Sequence, residues 1–453
     1  MPTLLRLLRP FLPSILLFVA SPHPSVDPRG YSIVAENGKV YETTIALSPV
    51  NPSNVVAAGM HVVYSNGTVT EVTVKAFWSD DAGATWNEGS PLSLTTSLGT
   101  YTYQADPVLA FDRTGVVFLS TLVSAGAPGA LTRNGILLWR SSDGGRTWSA
   151  PLPVIERDKL SHIGMLGAID DKEWMAVDSS GGSHDGTIYL SWINFDVASR
   201  LFTRSTDGGH TWSTVKRIGS PSIAPQVVVG IGNDVHVVDI TNTSLFSQTS
   251  HDAGDTFGDP VTIASLPSMT GTLPNLQVPL YSFPSAAIDL SFGTYRGSVY
   301  TVWATSGDAY PGGGATFPAA IWFSHSVDGG GTWSSPRRLS DTSLSRDAMF
   351  PSIACDPATG EVLIAWLDRR DDPENRLARV YATRSNDGGA SFAQSRAFTS
   401  TLDLTGSSFV GHYNGTAARD GVLLTTFSDA AGFMGVTPLS FDEPKKRHRA
   451  VRH

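Results

Sequence analysis

Acidic, basic and aromatic residues crowd together at four places in this chain: Asp171-Lys172-Glu173, Arg346-Asp347, Asp368-Arg369-Arg370-Asp371-Asp372 and His412-Tyr413. Paired carboxyl groups can break a glycosidic bond, one protonating the leaving oxygen while the other attacks or activates water. Guanidinium groups offer a planar fork that grips a carboxylate in two places. An acidic sugar would find both a grip and an acid among these residues. No metal site and no cofactor are expected. His61, His162, His184, His210, His236, His251, His325 and His412 are scattered, with no pair at ligand spacing. Glycines 312–314 follow no helix-opening strand and do not read as a phosphate cradle.

Residues so far apart in sequence need a scaffold to converge, and the chain carries a repeating one. The octet Ser79-Asp80-Asp81-Ala82-Gly83-Ala84-Thr85-Trp86 restarts in the frame Ser-x-Asp-x-Gly-x-Thr/Ser-Trp/Phe at Ser141, Ser205, Ser250, Ser326 and Ser385. An Asp carboxylate can accept backbone N–H groups of a tight turn, with Ser and Thr hydroxyls adding further bonds. Gly supplies a left-handed backbone, and the closing aromatic is large enough to wedge one sheet against the next. Pairs of short β-rich segments accompany the octets: 42–48 with 55–62, 107–112 with 115–120, 174–178 with 186–192, and 227–230 with 234–240. The series continues with 286–290 and 297–304, 351–356 and 360–366, and 409–413 and 421–427. Their Val, Ile, Tyr and Trp content predicts half-buried strands. Repeats at long, even spacing predict a propeller. The expected fold is all-β, a single β-propeller of four-stranded antiparallel blades over residues 31–440, seven blades with six as the alternative. Residues 31–34 are expected to supply the missing outer strand of the last blade and close the ring.

The octets resemble the Asp-box, or bacterial neuraminidase repeat, of the sialidase superfamily. Four of the six close with Trp and two with Phe257 and Phe392. The resemblance implies that each octet joins the third and fourth strands of a blade. The octets then lie on one face, and the starts of first strands and ends of second strands lie on the other. That second face collects Glu42, His61, Asp106, Asn194, Asp196 and Asp429 together with the four clusters. By the same resemblance Arg346, Arg369 and Arg370 would clamp the substrate carboxylate, with Lys172 beside them. Tyr413 assisted by Glu173 would be the nucleophile, and Asp171 or Asp368 the acid. The Phe/Tyr-Arg-Ile-Pro motif that carries the first clamping Arg is absent before the first octet. The most specific reaction implied is exo-α-sialidase-type hydrolysis. The alternative is a propeller that binds a glycan or protein without chemistry.

Composition narrows the partners. Of 453 residues 16% are charged, and 44 Gly and 28 Pro suit short strands and many turns rather than long helices. The net charge is −9, and seven of the 32 basic residues stand near the ends as Arg6, Arg9, Lys445, Lys446, Arg447, Arg449 and Arg452. The acidic body that remains is a poor match for nucleic acid. Residues 1–20, with two arginines ahead of an apolar run too short to span a bilayer, read as a secretory leader. The expected location is secreted or cell-envelope, as a monomer with no membrane span once the leader is removed. Residues 441–453 read as a disordered basic tail. The single cysteine, Cys355, rules out an internal disulfide and reads as buried core.

Overall fold

The structure is a computed structural model. It describes residues 32–35, 39–127, 130–158, 170–220, 222–266, 273, 283–306, 319–341, 346–393, 395–397, 399, 401–405, 410–428 and 434–440. The expected leader and basic tail lie outside the described residues, as do His162, Asp429 and glycines 312–314. Every regular element among the described residues is a strand.

Antiparallel sheets follow one another along the chain. Asp170–Val177, Ile188–Asn194, Ser199–Ser205 and Lys216–Gly219 form one four-stranded sheet in sequential order. Gln226–Val229 to Val261–Ser265 and Ser285–Ile288 to Arg337–Arg338 form two more. Ala348–Cys355, Val362–Asp368, Leu377–Ser385 and Arg396–Ala397 form another, with Leu402–Asp403 also on the third strand. The front of the chain gives an eight-stranded sheet. In it Lys39–Leu47, Val55–Ser65, Thr68–Ser79 and Asn87–Glu88 are joined to Tyr103–Phe111, Val117–Ala127, Ala130–Ser141 and Leu152–Asp158. The junction is one parallel bridge, Val72 to Tyr103. In the last sheet Thr416–Arg419, Val422–Ser428 and Met434–Ser440 take Ser32–Ala35 as their fourth strand, with Ser32 opposite Val436 and Ile33 opposite Gly435. The strand expected to latch the ring is therefore in place.

First strands define the centre. Lys39–Leu47 packs on Tyr103–Phe111, that on Asp170–Val177, and so on through Gln226–Val229, Ser285–Ile288, Ala348–Cys355 and Thr416–Arg419, which packs back on Lys39–Leu47. Second strands are buried more completely than their composition predicts. Ile188–Asn194 and Val362–Asp368 are buried at every position, because neighbouring sheets cover both faces. Trp192, Trp303 and Trp366 recur on these strands, with at most 2% of their surface exposed.

The octets behave as turn chemistry requires. In the first, Ser79 Oγ donates to Asp81 and accepts from the Gly83 N–H, while Thr85 N–H and Oγ1–H both donate to the Asp81 carboxylate at 2.8 and 2.6 Å. The same set repeats around Asp143, Asp207, Asp252, Asp328 and Asp387. Each turn leans on the preceding sheet: a Cβ on Gly254 would meet the Phe202 ring at 2.5 Å, and one on Gly389 the Phe323 ring at 2.5 Å. The octet tryptophans Trp86, Trp148, Trp212 and Trp333 are half-buried rather than fully wedged. Each lays one side on a core cluster and turns the other to solvent. Cys355 is likewise half-buried against the core.

Candidate functional site

One irregularity recurs on the inner strands and builds the site. Where Lys39–Leu47 pairs with its neighbour, the register jumps between Tyr41 and Thr44, so Glu42 and Thr43 face the single residue Gly59. The same two-against-one bulge places Asp106-Pro107 in Tyr103–Phe111, Lys172-Glu173 in Asp170–Val177 and Phe350-Pro351 in Ala348–Cys355. At each bulge the first residue is left-handed: φ is 50° at Glu42, 53° at Asp106, 51° at Lys172 and 51° at Phe350. Non-glycine residues pay about 1–2 kcal/mol for that conformation. Bulges of this kind re-aim side chains and cluster beside active sites. Three of the four carry ionisable side chains, and they stand on consecutive first strands.

These side chains converge on a cavity of about 920 Å³ whose wall includes Glu42, Asp106, Asp171, Lys172 and His412. Its strand starts are fixed from outside. The Asp170 carboxylate accepts from Trp192 Nε1 at 2.8 Å and from Arg157, and the Asp170 N–H donates to Asn134. Opposite, Gly411 comes so close to Glu42 that a Cβ would lie 2.8 Å from the Glu42 backbone nitrogen. This approach brings His412 Nδ1 within 2.8 Å of Glu42 Oε1. The Lys172 ammonium stands over the rings of Tyr413 at 3.7 Å and Trp174 at 5.0 Å, with no hydrogen-bond acceptor.

Electrostatics favour the uncharged acids. Burial pushes the Glu42 carboxyl up, although its hydrogen bond with Asp106 pulls the other way. Burial first, then the charge of Glu42, raises Asp106 well above the usual carboxylate range. A buried pair that close holds one proton in common. Asp171 is pushed up to about 7, mainly by burial and next by Asp106, even though it accepts the Lys172 N–H at 2.9 Å. Glu173 is fully buried, raised well above its usual value by burial, and neither of its oxygens has a hydrogen-bond partner. His412 is lowered to about 4 by burial and is neutral at neutral pH. Tyr413 is raised by burial and by the surrounding carboxyls, which makes its phenolate harder to form.

The structure thus gathers four of the eight expected site residues, Asp171, Lys172, Glu173 and Tyr413. Of these, Asp171 and Lys172 line the cavity, whereas Glu173 and Tyr413 are buried beside Lys172 and outside the wall. The other four form a separate cluster at the start of Ala348–Cys355, also outside the wall. Asp368 accepts from Trp366 Nε1 at 2.7 Å and from Arg370 at 2.6 Å, Arg369 pairs with Asp347 at 3.4 Å, and Arg346 donates to the Asp372 carbonyl at 2.8 Å. Arg370 also lies over the Tyr381 ring at 4.2 Å. These guanidiniums answer to local carboxylates and carbonyls, so the expected three-Arg clamp is not assembled at the cavity. Glu42, Asp106 and His412 were legible as residues of this face but not as site members. The bulge that selects Glu42 and Asp106 is a pairing register, which a single strand does not display, and His412 is brought in by the close approach of Gly411.

No family model matches the chain. Over 273 residues, 56% of the chain, it is 30% identical to a xyloglucanase of Paenibacillus sp, spanning 24% of that protein's length. Among solved structures it is similar to the GH93 α-L-arabinofuranosidase of Fusarium graminearum, with a TM-score of 0.51, 12% identity, and coverage of 92% of this chain and 98% of that one. It is also similar to the NanB sialidase from Streptococcus pneumoniae, with a TM-score of 0.44, 12% identity, and coverage of 91% and 71%. The likeness to the arabinofuranosidase is one of fold, that of a β-propeller.

Proposed function

We propose that this chain, a β-propeller of the sialidase-like superfamily, is a glycoside hydrolase acting at the cavity of Glu42, Asp106 and Asp171. The observation that carries the reading is the repeated bulge: three consecutive first strands each spend backbone strain to aim ionisable groups at one concavity. In the reaction, Asp171 in its protonated form gives its proton to the glycosidic oxygen. The Glu42–Asp106 pair, one proton between two carboxyls, keeps one negative charge to stabilise the anomeric cation and to attack it or activate water. The similarity to a xyloglucanase and the shared fold with an arabinofuranosidase support this class of reaction.

Sialoside hydrolysis is the narrower reading, supported by the meeting of Tyr413, Glu173 and Asp171. It needs a carboxylate grip, for which the described residues of the cavity wall supply only Lys172. A purely binding propeller would have no use for several buried, proton-holding carboxyls. The central ring of seven first strands supports a seven-blade count, with the eight-stranded sheet read as two blades. Export from the cytoplasm, a glycan as the partner and a monomeric state belong to the same proposal.

The test is release of reducing ends by the purified chain from neutral polysaccharides and from a sialoside, repeated with Asp171→Asn. Hydrolysis that falls about 100-fold or more in the variant is expected. Unchanged hydrolysis in Asp171→Asn would remove the site from the reaction.

A further inference from the structure

Three large aromatic side chains stand exposed at the mouth of the cavity, one of them, Tyr64, with the Lys39 ammonium 5.3 Å from its ring centre. Tyr64 ends a second strand, Tyr103 begins a first strand and Phe195 follows the second strand Ile188–Asn194. They are 39%, 37% and 44% exposed, and all three line the cavity. They come from three successive strand sets, so their rings are spread along the mouth rather than stacked at one point. Exposed apolar groups gathered at a concavity mark a binding surface. The charge of the wall selects what binds. Among the described residues of the wall, Glu42, Glu71, Asp106 and Asp171 stand with Lys172 as the one side chain charged positive at neutral pH, because His412 is held neutral, and none is an arginine. A polyanion meets repulsion there, whereas neutral sugar rings present C–H faces to aromatic rings and hydroxyls to carboxyls. A cavity near 920 Å³ lies at the upper end of the range for ligand sites, about 300–1,000 Å³, and admits more than one sugar ring.

We infer that the site takes a chain of uncharged sugars, with Tyr64, Tyr103 and Phe195 as stacking platforms for rings beyond the cleaved bond. This rests on the glycoside-hydrolase reading and adds the substrate class to it. The test is isothermal titration of the full chain with a neutral cello-hexasaccharide and a neutral arabino-hexasaccharide. Galacturonate and glucosamine hexamers serve as the anionic and cationic counterparts. At least one neutral chain is expected to bind, and Phe195→Ala to weaken it about tenfold, a loss read directly as a Kd ratio. Phe292→Ala, 94% exposed in a turn on the octet face, should leave the affinity unchanged. Tighter binding of either charged hexamer, or no loss on Phe195→Ala, overturns the inference. Neutral binding without hydrolysis keeps the inference and removes the reading beneath it. Hydrolysis of small aryl glycosides without hexasaccharide binding does the reverse, and neither binding nor hydrolysis removes both.

Discussion

Asp171 and Lys172 show how one residue step assigns opposite roles. Asp171 is the last paired residue before the bulge and Lys172 the first on it, and both line the same cavity. Yet Asp171 holds its proton to about 7 while the neighbouring ammonium favours every ionised carboxyl around it. A folded-state carboxyl raised above its unfolded value of about 4 stabilises the fold fully below that value. The contribution is lost as pH rises toward 7, because the unfolded chain gives up its proton first. Asp171→Asn removes that loss. The variant should therefore melt higher than the parent at pH 8 relative to their difference at pH 4, as thermal denaturation at the two pH values will report. A difference that does not depend on pH would contradict the assignment. Lys172→Met should act through the same field. With the ammonium gone, the carboxyls hold protons longer, so the alkaline limb of the pH–rate profile should move upward. An unmoved limb would mean that Lys172 does not sense the reacting acid.

At the scale of elements, the octet turn is both a hairpin and a spacer between sheets. Gly254 has φ of +86°, and its missing Cβ leaves room for the Phe202 ring. Gly254→Ala should cost about 2–5 kcal/mol, backbone strain plus overpacking. Gly67 has φ of +77° and open space around it. Its replacement by Ala should cost only the backbone share, about 1–2 kcal/mol. Equal costs in denaturant unfolding would deny the contact between sheets. This level was largely legible in the sequence, since the octet frame Ser79–Trp86 dictates its own hydrogen bonds from local residues. The half-burial of Trp86, Trp148, Trp212 and Trp333 was not, because it depends on how near the next sheet comes. The site was half legible for the same reason. Asp171-Lys172-Glu173 and Tyr413 announce themselves by composition, whereas Glu42 and Asp106 are lone acids brought to the cavity by a pairing register.

For the whole molecule, two populations of carboxyls pull stability in opposite directions. Hydrogen bonds from Thr211 and Ser391 hold Asp207 and Asp387 at about 2, and Asp81, Asp143, Asp252 and Asp328 are also lowered. Depressed acids stabilise above the unfolded value of about 4, a contribution lost as pH falls toward 2. The site carboxyls do the reverse on the neutral side. Between them His236 and His412, both held near 4 by burial, favour the fold as pH rises to about 6.5. Melting temperature should therefore climb from pH 2 to about 4 and decline above it, because the four raised carboxyls outweigh the two histidines. A steady climb to pH 9 would contradict buried, proton-holding acids. Closure by Ser32–Ala35 adds a further expectation: deleting residues 27–40 should lower the melting temperature of the whole ring, since the strand completes the last sheet. The central claim, that Asp171 delivers a proton to a glycosidic oxygen, is tested most directly by the leaving group. Asp171→Asn and the parent should be compared on a dinitrophenyl glycoside, which departs without protonation, and on the matching unactivated glycoside. The account predicts a loss of about 100-fold or more on the unactivated substrate and little loss on the activated one. Equal losses on both would contradict it.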